Sequence, residues 1–127
     1  MIEVVAAIVE RDGKYLIARR APGKHLAGYW EFPGGKIEEG EKPEDSLQRE
    51  MWEEFGVHAD VGDYLGDNVH DCGSKTIRLL AYEVAVSGEI LQSTDHDCIE
   101  WVALEDMGNY QLAEADIPLL EQIAAHA

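Results

Sequence analysis

Glu50, Glu53 and Glu54 lie within GKIEEGEKPEDSLQREMWEEFGV, the stretch from Gly35 to Val57. In a helix, positions three and four apart share a face, so these carboxylates would form one stripe. Each like-charged pair on an exposed helix costs about 0.2 to 0.5 kcal/mol, and something must offset that repulsion. A hard divalent cation takes oxygen ligands, keeps several waters and bridges one or two carboxylates to substrate phosphates. The stripe is therefore a candidate Mg²⁺ or Mn²⁺ platform; the alternative is a solvated acidic face.

The helix that must carry the stripe has its own signals. Leu47, Met51 and Phe55 form an adjacent apolar stripe that can face a core. Pro43 suits the first turn and Gly56 the position just past the last, which bounds the helix at Pro43 to Phe55. Before it, Ile2 to Val9 is apolar and β-branched, Arg11-Asp12-Gly13-Lys14 punctuates, and Tyr15 to Ala18 follows, a pattern that reads as a hairpin. An irregular segment from Ala21 to Gly28 leads into Tyr29-Trp30-Glu31-Phe32 and the turn Pro33-Gly34-Gly35. Val57 to Tyr64 and Thr76 to Val86 read as strands joined by a polar loop from Gly66 to Ser74 near a site. Glu100 to Val102 reads as short and extended, and Ile117 to Ala125 as a closing helix. Strands interspersed with two helices predict an α/β sandwich, one domain over residues 1–127.

Composition narrows the function classes. The chain carries 10 basic and 26 acidic side chains, a formal charge of −16, which argues against binding polymeric nucleic acid or an anionic membrane. A polyanionic substrate then needs bound metal and a few placed cations. No stretch is long enough to span a bilayer and no secretion signal opens the chain, so a cytoplasmic setting is expected. Cys72 and Cys98 have no closely spaced partners and read as reduced thiols. The 5 histidines are scattered, with no His-x-x-x-His pair, which leaves zinc-protease chemistry unsupported.

The segment resembles the Nudix box. Gly35, Glu41, Arg49-Glu50, Met51, Trp52, Glu53-Glu54, Phe55, Gly56 and Val57 fill every fixed position of that family pattern. Weaker flanks, IEVVAAIVERDGKYLIARR, GYWEFPGGKIE and QLAEADIPLLE, carry the resemblance over most of the chain and toward its MutT-like branch. It implies a Nudix-type α/β/α sandwich with a mixed sheet and a loop-helix-loop box. It also implies Mg²⁺-dependent hydrolysis of a nucleoside triphosphate to monophosphate and pyrophosphate, with Mn²⁺ as a substitute. Oxidised or noncanonical nucleotides such as 8-oxo-dGTP, or CTP-type pyrimidine nucleotides, are the expected substrates, and nucleotide-pool sanitation a corresponding role. The expected partner is a small-molecule nucleotide, and the assembly a monomer or homodimer.

The resemblance assigns residues as well. Glu50, Glu53 and Glu54 become metal ligands, the Gly35 carbonyl a further one, and Glu41 an assistant acting at a distance. Glu53 is the first choice as general base. Asp95, six residues before Trp101, is the second, or else a solvated loop aspartate. Arg49 points about 100° off the carboxylate stripe and either orients a glutamate or tethers the loop. Arg20 matches a phosphate-contacting arginine, with Lys36 and Lys75 as weaker candidates. Glu31 and Phe32 are candidate pocket residues, Phe32 being equally well a core aromatic. Asp116 either reads a base or caps the helix beginning near Ile117. Trp52 reads as packing.

Two other functions fit the same box. Nudix enzymes for ADP-ribose or dinucleoside polyphosphates tend to carry a proline or tyrosine some sixteen residues past it, where this chain has Cys72, Gly73 and Ser74. Non-catalytic nucleotide-sensing Nudix domains commonly lose box glutamates, and none is lost here.

Overall fold

Asp12 and Gly13, at φ 53° and 78°, make a tight turn of the kind that suits the twist of antiparallel strands. The computed structural model describes residues 1–90 and 92–126. In chain order its elements are β1 (Ile2–Ile8), β2 (Glu10–Arg11), β3 (Lys14–Arg20), β4 (Trp30–Glu31), β5 (Gly34–Lys36), α1 (Pro43–Phe55), β6 (Ala59–Asp71), β7 (Thr76–Val86), β8 (His96–Val102) and α2 (Leu119–His126). Short 3₁₀ turns at Leu104–Asn109 and Glu114–Asp116 precede α2.

The strands form two sheets. One has the order β5-β1-β7-β6, with β1 and β7 parallel and the outer pairs antiparallel, so it is mixed. In the other, β3 pairs with β2, β4 and β8, all antiparallel. The hairpin expected from Ile2 to Ala18 thus forms only between β2 and β3. β1 pairs instead with β5 and with the distant β7, because its apolar run from Val4 to Ile8 belongs in a sheet covered on both faces.

Those faces define the layers. Val5, Ala7 and Val9 pack with Leu47, Met51 and Phe55 of α1, while Ala6 and Ile8 pack with Ile17, Phe32, Leu119 and Ile123 on the α2 side. The apolar stripe of α1 is buried as its spacing predicts. Gly56, at φ 67°, closes the helix by donating its N–H to the carbonyl of Trp52.

The polar connection expected at Gly66 to Ser74 is a correction. β6 runs on to Asp71, pairing with β7 as far as Asp71 opposite Thr76, and only residues 72–75 turn. Ladder hydrogen bonds to a neighbouring strand override the polar composition of a two-sided arm. β8 also begins earlier than Glu100, at His96. Its register slips against β3, with Arg19 opposite Cys98 but Arg20 opposite His96.

Candidate active site

Val5 of β1 stands opposite Gly35 of β5, beneath the glutamate face of α1. Strand and helix meet here with no space for a side chain: a Cβ on Gly35 would lie 2.4 Å from Cδ of Glu50. At the neighbouring Gly34, a Cβ would lie 1.8 Å from the carbonyl oxygen of Val5. Gly35 lets main chain approach the Glu50 carboxylate directly, while Gly34 lets β5 lie close against the β1 main chain.

The carboxylate stripe is graded by depth. Glu54 is buried, Glu50 nearly so, and Glu53 is 56% exposed at its side chain. Burial, reinforced by the adjacent Glu50 carboxylate, pushes the Glu54 acid well above the usual carboxylate range. Its Oε2 is buried and, among the described residues, accepts no hydrogen bond. The carbonyl of Glu54 accepts the N–H of Thr94, which seats the Ser93–Asp95 loop beside it, and Asp95 adds to the negative field on Glu54.

Arg49 binds the stripe together. Its Nε and Nη2 donate to the two oxygens of Glu41 at 2.9 and 3.0 Å, and Nη1 donates to Glu50 at 2.9 Å and Glu53 at 3.2 Å. Nη2 also reaches the Lys36 carbonyl at 3.1 Å. This bidentate clasp, with help from the Glu38 N–H, pulls the Glu41 acid down to about 2. Both alternatives for Arg49 are realised in the geometry, since it orients glutamates and ties down the loop before α1.

A second set of residues comes from the other sheet. Glu31 of β4 accepts from Arg20 Nη1 at 2.9 Å and from His96 Nε2 at 2.8 Å, both on Oε2. Nearby, Asp116 accepts the Phe32 N–H at 2.9 Å on Oδ2. Burial, then the negative field of Glu31, pushes Asp116 up to about 8, against the opposing pull of the Phe32 N–H and Arg20. Asp116 lies in a 3₁₀ turn and its carboxylate goes to Phe32, so the helix-cap alternative is not what the structure shows.

Other candidates fall into place around these two sets. The Phe32 ring is in the core and offers no stacking face, and its N–H holds Asp116. Lys36 is exposed, its carbonyl being the anchored part, and Lys75 is exposed in the β6–β7 turn. Asp95 pairs with Lys24 Nζ at 3.3 Å, and its N–H donates to Ser93 Oγ at 3.2 Å. Trp52 is 55% exposed and stacks on His58, so it does not pack into the core. Sequence reasoning missed His96, Ser93 and Lys24. No spacing marks them, because their partners lie in β4 and in the 93–95 loop.

The donor set fits a divalent cation. Among the described residues no group of three carboxylate, imidazole or thiolate side chains forms a closed metal site. An open site needs less: one or two carboxylates, a carbonyl and waters. A buried carboxylate oxygen without a donor, beside a second carboxylate and a glycine strand, supplies that chemistry. A cation bound there would offset the burial and the carboxylate crowding that raise the Glu54 acid.

The family model of the NUDIX domain matches residues 1–123. The chain is 45% identical over 125 residues to the CTP pyrophosphohydrolase of Escherichia coli K12, covering 98% of this chain and 93% of that protein. It is 35% identical over 79 residues to the 8-oxo-dGTP diphosphatase of Proteus vulgaris, covering 61% and 70%. The crystal structure of the MutT protein from Methanosarcina mazei Go1 superposes with a TM-score of 0.88 at 27% identity, covering 98% and 94%. Nudix hydrolases use divalent metal ions, and the oxygen-only donor set on α1 and β5 is consistent with that habit. Matched along nearly its whole length, with each box position filled and folded around one carboxylate cluster, the chain belongs to the Nudix family and is a Nudix hydrolase.

Proposed function

We propose that this hydrolase is a Mg²⁺-dependent nucleoside triphosphate pyrophosphohydrolase, releasing nucleoside monophosphate and pyrophosphate. The observation that carries the reading is Glu54: a carboxylate buried against Glu50, with an oxygen that no group among the described residues satisfies. Glu50, Glu53 and Glu54, with the Gly35 carbonyl, would hold the ion, and Mn²⁺ would substitute. A cation bound there lowers the pKa of water and neutralises phosphate charge. Glu53, held on Oε2 by Arg49 and otherwise open to solvent, takes the proton from the attacking water, with Asp95 the alternative base. Water oxygen then bonds to phosphorus as the anhydride bond to pyrophosphate breaks. Glu41 acts through Arg49 to keep the glutamates in place.

Arg20, with Lys36 and Lys75 at the periphery, meets phosphate, while Glu31 and Asp116 face the base beside the Phe32 main chain. Held near neutrality as an acid, Asp116 can donate as well as accept. Oxidised or noncanonical nucleotides such as 8-oxo-dGTP, and CTP-type pyrimidine nucleotides, are the substrates of this proposal, in keeping with the names of the relatives. A small-molecule partner, a cytoplasmic setting and a monomer or homodimer belong to the same proposal. No helix among the described residues is long and apolar enough to cross a membrane.

The test is product analysis with 8-oxo-dGTP, dGTP, CTP, dCTP, 5-hydroxy-dCTP, ADP-ribose and diadenosine tetraphosphate, in Mg²⁺ or EDTA. Monophosphate and pyrophosphate from a triphosphate, lost in EDTA and in a folded Glu53→Gln variant, are expected. Turnover of ADP-ribose alone, or tight binding without turnover, would overturn the reading. Unchanged turnover in Glu53→Gln would remove Glu53 as the base and direct attention to Asp95.

A further inference from the structure

The His96 side chain is fully buried near the site, at 0% exposure, and the hydrolysis proposed above makes no use of it. Its ring stacks on Phe55, the last residue of α1, with centroids 5.8 Å apart. Both ring nitrogens are occupied. Nδ1 lies 2.6 Å from Ser93 Oγ, and Nε2 lies 2.8 Å from Glu31 Oε2. Ser93 Oγ already accepts the Asp95 N–H, so its own proton is available to Nδ1. That pattern assigns the ring N–H to Nε2, pointing at Glu31.

Glu31 Oε2 therefore receives two donors, His96 and Arg20, whereas no protein group among the described residues bonds Oε1. With two donors fixing one oxygen, the carboxylate cannot rotate, and the other oxygen becomes a preset acceptor beside Asp116. A preset acceptor rewards an N–H at one position; a rotating one accepts from any direction and discriminates less. The same ring joins that acceptor, through Ser93, to the loop that bears Asp95.

We propose that His96 is a positioning residue for base selection: it locks Glu31 so that the free oxygen reads an amino-bearing base edge, as in cytosine or guanine. This rests on the nucleoside triphosphate reading above. A merely structural role would make His96 a satisfied core histidine whose loss lowers stability and affects all substrates alike.

The experiment compares kcat and KM for dGTP with dITP, which differ by one amino group, and for CTP with UTP, in which a carbonyl replaces the amino group and N3 turns from acceptor to donor. The proteins are wild type, His96→Phe, His96→Gln, Glu31→Gln and the His96→Phe/Glu31→Gln pair. Phe keeps the ring packed on Phe55 and removes both hydrogen bonds; Gln retains an N–H donor. Wild type is expected to favour the amino member of at least one pair. His96→Phe is expected to cut that preference about tenfold, the scale of one hydrogen bond to a charged group, mainly through KM. Gln should restore most of it, and His96→Phe should add little on the Glu31→Gln background. No preference in wild type, an equal loss on both members through kcat, or additive effects of the two substitutions would overturn the proposal.

Should the Phe variant fail to fold, Ser93→Ala loosens the ring without opening a large cavity, and an unchanged preference there is equally damaging. Absence of any triphosphate turnover in wild type would instead sink the function, and His96 would then be judged by NMR of ¹⁵N-labelled protein. A slowly exchanging Nε2–H that shifts in Glu31→Gln is expected, and a ring indifferent to Glu31 overturns the proposal.

Discussion

Gly35 and Glu50 are in such close contact that a single added methyl group would overlap the carboxylate, 2.4 Å from its Cδ. Because the obstructing atom is the end of a flexible side chain, Gly35→Ala is expected to fold and to push Glu50 aside. Turnover should fall about ten- to a hundredfold, the usual cost of disturbing a metal site's supports. Gly34→Ala meets the Val5 main chain at 1.8 Å and is expected to lower Tm sharply. Circular dichroism melts beside turnover assays would separate the two, and a Gly35→Ala enzyme of full activity would contradict the contact.

Arg49 serves five acceptors on four residues with one planar group, a task that lysine's compact ammonium cannot perform. Arg49→Lys should retain charge and fold yet lose about ten- to a hundredfold in activity or metal affinity. Wild-type kinetics in that variant would show that the clasp is incidental.

Glu54 gives a pH signature. Its folded acid titrates above the ordinary value of 4.5, so the metal-free folded state holds a proton that the unfolded chain gives up. Stability from this group is therefore greatest at low pH and is lost as pH rises above that value. In EDTA at pH 7 to 8, Glu54→Gln should raise Tm, and the Tm gain on adding Mg²⁺ should grow with pH in wild type and largely vanish in the variant. A pH-independent gain retained by Glu54→Gln would place the ion elsewhere.

Asp116 adds a second contribution that overlaps that of Glu54 in pH and is told apart by substitution. Raised from 3.8 to about 8, it binds more protons folded than unfolded between those values, so stability falls across that window as pH rises. The slope is at most about 1.4 kcal/mol per pH unit for one group. Asp116→Asn should make the slope shallower in EDTA melts, leaving the Glu54 contribution, and remove any change of KM centred near the upper limit. Identical pH profiles in the two proteins would show that Asp116 is already ionised.

How much of this was legible in the sequence depends on range. The bounds of α1 and its two faces were readable because Pro43, Gly56 and the three-four spacing act within a few residues. The pairing of β1 was not, since its parallel partner β7 is some seventy residues away and the Asp12-Gly13 turn speaks only for β2 and β3. The β6–β7 arm looked like a loop because strand pairing, not composition, makes it extended. The Glu50–Glu54 cluster was visible as spacing, but its gradient of burial was not. His96 was invisible, as its meaning comes from Glu31, 65 residues earlier. Asp116 stood between two readings until its carboxylate was found on the Phe32 N–H.

Under the proposed roles, the two sheets divide the labour in a way that bears on evolution. Gly35 and the α1 glutamates hang on β1 and β5, whereas Arg20, Glu31 and His96 belong to β3, β4 and β8. The Thr94–Glu54 hydrogen bond is one seam between them. A lineage could thus exchange the letters it recognises by drift in one sheet while inheriting its bond-breaking apparatus unchanged in the other.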